Sequence, residues 1–175
     1  MPKLLQISQL GHPVLRKKTV EVNDFSDKQL QALIDDMIAT VKEVGGVGIA
    51  ANQVYESKRV FIIASNPNKR YPKAPKMKPL AMINPKIIER SDKQVKDWEG
   101  CLSIPGVRGL VPRYISIKIE YYDRKGKKQT KLLKDFLARI FQHEFDHING
   151  LVYLDRLETN KDIITEKEYY KIIGK

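Results

Sequence analysis

The sequence predicts an α+β fold: short, mostly antiparallel strands around a central helix that carries the pattern H-E-x-x-H. Three observations carry that expectation. After Asp135, the residues Phe136, Leu137, Ile140, Phe141 and Ile148 recur at helical spacing, with His143 and His147 one turn apart among them. From Arg113 to Tyr122, Ile115, Ile117, Ile119 and Tyr121 alternate with Ser116, Lys118, Glu120 and Tyr122, the pattern of a strand with one buried side. A separate helical stripe, Leu30, Leu33, Ile34, Met37, Ile38 and Val41, reads as a helix packed on the outside.

In chain order, residues 1 to 22 read as an arm with short extended pieces. Gly11-His12-Pro13 is a turn, because a proline keeps the residue before it out of a helix. His12 is then a partly exposed turn histidine. Ser26, with Gln29 three residues on, predicts a capping box for the first helix, and Gly45-Gly46 stops it. The dense Gly and Ala of 46 to 53 imply close backbone approach. They form either a tight helix-to-strand turn or a surface along which a substrate backbone lies, with Gln53 as an amide donor. No strand precedes them and no third glycine follows, so this is not a dinucleotide loop.

Val60 to Ser65 predicts a buried strand. Residues 66 to 79, with Pro67, Pro72, Pro75 and Pro79, predict a surface loop without a core face. Leu80 to Ile88 predicts a strand interrupted at Pro85, hence at an edge or a bulge. The polar residues 89 to 98 run along an edge or a turn. Ile104-Pro105-Gly106 is a turn signal, and Asp123 to Gly126 a hairpin turn from which 127 to 133 pair back. Asp135 is the expected N-cap of the central helix, and Asn149-Gly150 its end. Beyond Leu157, Ile163-Ile164 and Tyr169-Tyr170 predict one last helix.

The 175 residues are 42% apolar and 30% charged, which suits a single catalytic domain over residues 1 to 175 with a real core rather than a disordered chain. One cysteine permits no internal disulfide and fits a reducing compartment. No signal-type apolar core opens the chain and no segment reads as spanning a membrane, so the expectation is a cytoplasmic protein. The net charge of +11 comes mostly from scattered lysines, with one cluster at Lys125, Lys127, Lys128, Lys131 and Lys134. That reads as a solvated surface, not as sequence-specific nucleic-acid recognition.

The chemistry concentrates in Gln142-His143-Glu144-Phe145-Asp146-His147. Histidines at i and i+4 share a helix face and can reach one metal ion, while the adjacent glutamate can serve as general base. A catalytic site of this kind needs three protein ligands and an open position. Cys101, in Glu99-Gly100-Cys101-Leu102-Ser103, is the candidate third ligand. Read alone, the histidines could sit solvated on a surface helix, and Cys101 could be a small buried apolar residue. Their joint presence favours the metal. So does the apolarity of the helix, which must bury part of a polar set that a cation would balance.

Three motifs in one order, G-V-G-I-A-A-N-Q at 46 to 53, E-G-C-L-S at 99 to 103 and Q-H-E-F-D-H at 142 to 147, resemble the peptide deformylases. Pro13-Val14-Leu15-Arg16, Pro112-Arg113 and Gly150 extend the match from about residue 3 to about residue 157. The resemblance implies an enzyme that removes the formyl group from the N-terminal formyl-methionine of new bacterial chains. It makes Cys101, His143 and His147 the metal ligands and Glu144 the catalytic acid and base. It makes Gln53 and the Leu102 backbone N–H the donors to the oxyanion. Val47 and Gly48 become positions where the peptide pairs as an added strand, and Gly100 a further substrate-binding position. Phe136 and Ile140, with Val47, line the pocket for the first side chain. The implied ion is iron(II), with zinc, nickel or cobalt as substitutes. The implied partners are the formyl-Met nascent peptide and, transiently, the ribosome.

Two other readings stay in play. An H-E-x-x-H zinc peptidase would take a third ligand from beyond the helix, where Glu158 is available at poor spacing. A basic ribosomal or RNA-binding module would need no metal at all. Arg139, inside the helix, needs an acidic partner such as Asp146 or Glu99.

Overall fold

The helix that bears the two histidines, α2 (Asp135–Ile148), is packed against strands from both of the molecule's sheets. The computed structural model describes residues 2–68 and 70–174. A first helix, α1 (Lys28–Glu43), is followed by β1 (Gly48–Ala50), β2 (Val60–Ile63), β3 (Leu80–Arg90), β4 (Gln94–Cys101), β5 (Ile104–Tyr114), β6 (Ser116–Tyr122) and β7 (Lys128–Lys134). After α2 come β8 (Ile163–Thr165) and a short helix α3 (Glu166–Ile172). All pairings between these strands are antiparallel: one sheet has the order β1-β2-β3-β6-β7, the other β4-β5-β8.

The continuous apolar run of β2 is explained by a sheet covered on both faces. Val60 and Ile62 join the α1 residues Leu30, Ile34, Met37 and Val41 in one core. Phe61 and Ile63 point the other way, into a second core with Phe141 and Ile148 of α2 and with Ile117 and Ile119 of β6. A third, smaller cluster beside the second sheet holds Cys101, Ile104, Val111, Val152 and Tyr153. The predicted α+β architecture is therefore present, with α2 between the sheets and α1 on the outer face of the larger one.

Several local expectations are corrected. Ser26 does not cap α1: its hydroxyl donates to Asp24, while the Asp27 carboxylate accepts from the N–H groups of Gln29 (3.0 Å) and Leu30 (3.3 Å). A carboxylate can serve two helix-end donors at once, which a hydroxyl does less well. Asp135 is the first helical residue of α2, at φ +49°, and the cap position falls to Lys134 without a side-chain bond. Of the edge or bulge expected at Pro85, the structure has the bulge: β3 lies in the middle of its sheet. Pro85 is tolerated because the register slips between Ile83 and Lys86, and Asn84, at φ +48°, bonds both backbone groups of Val22.

The turn expected at 104 to 106 is made two residues earlier, at Leu102-Ser103, so that Cys101 pairs with Ile104. The alternating run from Arg113 crosses from one sheet to the other at Ile115, since β5 ends at Tyr114 and β6 begins at Ser116. Of residues 89 to 98, read as edge or turn, the first two end β3 and those from Gln94 form the β4 edge strand, in keeping with the edge reading. Ile163-Ile164 is in a strand rather than in the last helix, which starts at Glu166. The 66 to 79 loop does have an inward face: Ala74 is buried, and Ser65 Oγ donates to the Pro75 carbonyl at 2.6 Å. His12 is exposed, as read, and its Nδ1 accepts from the Val14 N–H.

Candidate metal centre

The two-residue turn after β4 carries Cys101 into the cleft, and the helical register of α2 stacks His143 and His147 beside it, ring centroids 5.0 Å apart. One donor atom from each of these three side chains lies within 4.8 Å of the others. Cys101 Sγ is 3.2 Å from His147 Nε2. Sulfur and two imidazoles in a small triangle suit a divalent transition metal, with space left for a fourth ligand.

Gln53 comes from a 3-10 turn, Ala51–Val54, directly after β1. Its carbonyl accepts from the Ala50 N–H at 2.8 Å, which turns the amide nitrogen toward Cys101 Sγ (3.6 Å) and Ser103 Oγ (3.1 Å). Glu144 is buried, and its Oε2 has no hydrogen-bond partner among the described residues. Burial pushes the Glu144 carboxyl up to about 7, with Glu99 adding and His143 opposing. A Cβ on Gly48 would sit 2.5 Å from Glu144 Oε1, so only glycine lets β1 pass the carboxylate this closely.

Behind the triangle is a charged network. Glu99 Oε2 is 2.9 Å from His143 Nδ1, which assigns the proton to Nδ1 and leaves Nε2 for the metal side. Arg113 grips Glu99 through Nε (2.8 Å) and Nη2 (3.0 Å) and reaches Asp146 through Nη1 (2.6 Å). Burial would raise the Glu99 carboxyl, but Arg113 and His143 override it and hold the group far below the usual carboxylate range. Arg139 also bonds Glu99, at 2.8 Å, and adds the carbonyls of Val95 and Val111, tying α2 to the smaller sheet. Asp146 is not its partner; Asp146 binds Arg113 and Arg156. Asn52 donates to the His147 carbonyl at 2.5 Å and so fixes the second histidine from its backbone.

A half-open cleft leads onto this group. Val47, Gly48 and Gln53 line one side, β4 residues through Gly100, Cys101 and Leu102 line another, and Phe136 and Ile140 of α2 form the third. Both β1 and β4 are edge strands, so each faces the cleft with backbone groups free of a sheet neighbour. Every residue singled out for the site from the sequence is brought here. Glu158 is not: it is exposed and pairs with Lys96. Arg70, Tyr71 and Trp98 also line the cleft, and nothing in the sequence pattern marked them.

A sulfur–imidazole triangle with a buried glutamate beside it, facing a cleft between two sheet edges, defines a metallohydrolase of the single-ion kind that takes an extended peptide. More narrowly, the chain belongs to the polypeptide deformylase family, whose model matches residues 4–162. It is 56% identical to peptide deformylase 2 of Nostoc sp. over 99% of this chain and 97% of that protein. It is 43% identical to peptide deformylase 2 of Shewanella oneidensis over 95% and 91%. Among solved structures it is similar to a Met-Ala-Ser-bound class I type b peptide deformylase from Acinetobacter baumannii, with a TM-score of 0.87 and 42% identity over 90% of this chain and 100% of that one. The enzyme from Thermotoga maritima follows at a TM-score of 0.80 and 36% identity, over 89% and 99%.

Proposed function

We infer that the chain removes the formyl group from the N-terminal formyl-methionine of newly made polypeptides, releasing formate. The observation that carries this is the Cys101–His143–His147 triangle with Glu144 buried beside it, in a chain of this family. The family is metal-dependent, and the three side chains fit one ion. We assign iron(II) to them, with zinc, nickel or cobalt as substitutes. Such a cation supplies a Lewis acid that polarises a carbonyl and lowers the pKa of water.

The chain's own residues do the rest. Val47 and Gly48 on one edge and Gly100 on the other hold the peptide as an added strand, and Phe136, Ile140 and Val47 take the methionine side chain. Glu144 accepts the proton of the attacking water as oxygen bonds to the formyl carbon. Gln53 Nε2 and the Leu102 N–H donate to the oxygen that gains charge; losing one such donor typically costs about 10²–10³ in rate. Glu144 then passes its proton to the departing amine as the C–N bond breaks. Glu99 holds the His143 ring in the tautomer that ligation requires.

Glu144→Ala tests the assignment. It is expected to keep the metal and lose formate release from a formyl-Met tripeptide; retained turnover removes Glu144 from the scheme. Metal content after anaerobic purification tests the choice of iron. Residues 1 to 175 act as one catalytic domain in the cytoplasm, with the exposed lysines of the β6–β7 hairpin giving transient ribosome contact and no sequence-specific nucleic-acid recognition. Among the described residues no helix is long and apolar enough to cross a membrane. Ribosome affinity that stays constant from low to high salt counts against the lysine contact.

A further inference from the structure

Arg108 is fully buried, yet it lies outside the network around Glu99. Its three guanidinium nitrogens have no hydrogen-bond partner among the described residues. Ring faces surround it instead: Tyr169 at 4.4 Å, Tyr71 at 5.2 Å and Tyr170 at 5.8 Å. Glu166 Oε1 stands 3.5 Å from Arg108 Nη2 and 3.6 Å from Arg70 Nη2, one carboxylate between two guanidiniums. A desolvated cation is tolerable where aromatic quadrupoles and a counter-charge replace water. The register explains the meeting. β8 pairs with β5 so that Arg108 faces Ile164, and α3 begins two residues later, bringing Glu166, Tyr169 and Tyr170 over the guanidinium.

Tyr71 belongs both to this cage and to the cleft. It sits in no helix or strand. Its ring lies 5.4 Å from that of Phe136, and its hydroxyl accepts from the Gly100 N–H at 3.3 Å. Phe136 lines the pocket assigned above to the methionine side chain, and Gly100 precedes the ligand Cys101. Local loop bonds hold the Tyr71 backbone: its N–H donates to Asn68 Oδ1 at 2.9 Å, and its carbonyl accepts from the Asn68 and Ala74 N–H groups at 3.2 Å each. The contacts with Arg108, Phe136 and Gly100 are what set the place of its ring.

We propose that Tyr71 sets the width of the pocket for the substrate's first side chain, and that the C-terminal unit β8–α3, acting through Arg108, positions it. Tyr71 is the specificity-determining residue; Tyr169 is a positioning residue that never meets the substrate. An unbranched side chain passes the tyrosine, and a bulky aromatic one does not. This rests on the deformylase reading of the site.

The test uses the full-length, metal-loaded chain and two peptides, formyl-Met-Ala-Ser and formyl-Phe-Ala-Ser, with kcat and KM read from formate release. Tyr71→Ala should narrow the preference for methionine in kcat/KM by roughly tenfold, the size of effect that pocket fit commands. Tyr169→Ala should shift the preference in the same direction. On the Met peptide it should raise KM while kcat stays within about twofold. Tyr169→Phe keeps the ring face and should restore both. An unchanged preference in Tyr71→Ala overturns the specificity role, and an unchanged preference in Tyr169→Ala overturns positioning through Arg108. Equal loss of kcat on both peptides, with KM unmoved, marks a general structural defect and also overturns positioning. No formate from either peptide with the wild-type chain overturns the deformylase reading itself.

Discussion

The two long helices have opposite economies. α1 buries Leu30, Leu33, Ile34, Met37 and Val41 and keeps nearly every charge in solvent. α2 buries Ile140, Phe141 and Ile148, but also Arg139, Gln142, Glu144, Asp146 and His147. Apart from Glu144 Oε2 and His147 Nδ1, the buried polar groups of α2 are matched mainly from outside the helix, because an unpaired charge in the interior costs several kcal/mol. α1 is therefore held mainly by area, with peripheral polar ties such as Gln31 Nε2 to the Arg124 carbonyl (2.8 Å) and Arg124 to Asp35 (2.8 Å). α2 is held by area and by a lattice of partners from β4, β5 and the segment after the helix. What α1 loses in a mutation is stability; what α2 loses is also geometry.

The largest effect should come from disturbing the site without touching α2's own sequence. Gly48→Ala puts a methyl 2.5 Å from Glu144 Oε1. The carboxylate must move by about 1 Å, and misplacement on that scale costs on the order of 10²-fold in kcat/KM. Metal content and melting temperature should stay close to wild type. Full activity in this variant would show that the Glu144 position is not the constraint it looks like.

Next comes the lattice. Glu99→Gln removes the shared counter-charge of Arg113 and Arg139 and weakens the acceptor for His143 Nδ1. Breaking a buried pair from one side costs about 3–5 kcal/mol, and loss of a ligand's hydrogen-bond partner typically weakens metal binding about 10–100-fold. Urea melts and a competitive chelator titration read the two separately. The wild-type pH dependence has a defined sign. The folded-state Glu99 carboxyl is depressed, so its contribution is present above the ordinary carboxylate value and is lost as pH falls through the folded one.

Ile34→Ala is the matching cut in α1. Ile34 is completely buried against Val60, Ile62 and their neighbours. The expected loss is about 2–5 kcal/mol in urea melts, with kcat per metal-loaded molecule unchanged. A change in metal affinity would mean the two helices are coupled through the sheet between them.

The same contrast explains what could be read from the sequence. The α1 stripe and the α2 histidine pair were legible because each obeys a period, 3.6 residues for packing and four for a shared helix face. Cys101 was legible as the chain's lone thiol in a turn motif. Tyr71, Trp98 and Arg70 were not, because residues in a Pro-rich loop or on an edge strand follow no period that separates a cleft face from solvent. Ile163-Ile164 was misread because two adjacent apolar residues fit a helix or a strand equally. Pro85 signals an edge or a bulge, and the structure has the bulge; the sequence does not choose between them because the Asn84 bonds that support the bulge depend on Val22, far away in the chain.

The smallest effect is at the end of α1. Asp27 is partly exposed, and its carboxylate accepts from Gln29 and Leu30 and lies 3.3 Å from Lys58 Nζ. The bond from the Gln29 N–H is the main reason its pKa falls below 3.8, against an opposing push from burial and with help from Lys58 and the Leu30 N–H. A carboxyl depressed in the folded state stabilises above its unfolded value and stops doing so as pH drops through the folded one. Asp27→Ala should therefore melt slightly below wild type at pH 7, by less than Ile34→Ala, and the gap should close as the pH is taken below 3.8. Asp27→Asn keeps an acceptor for the helix end but not the charge, so it should fall between the two. Deformylation should be unaltered in both, since the cap belongs to the helix that carries no chemistry. If the gap persists unchanged at low pH, the cap acts through shape rather than charge, and α1 is less simple than its apolar stripe suggests.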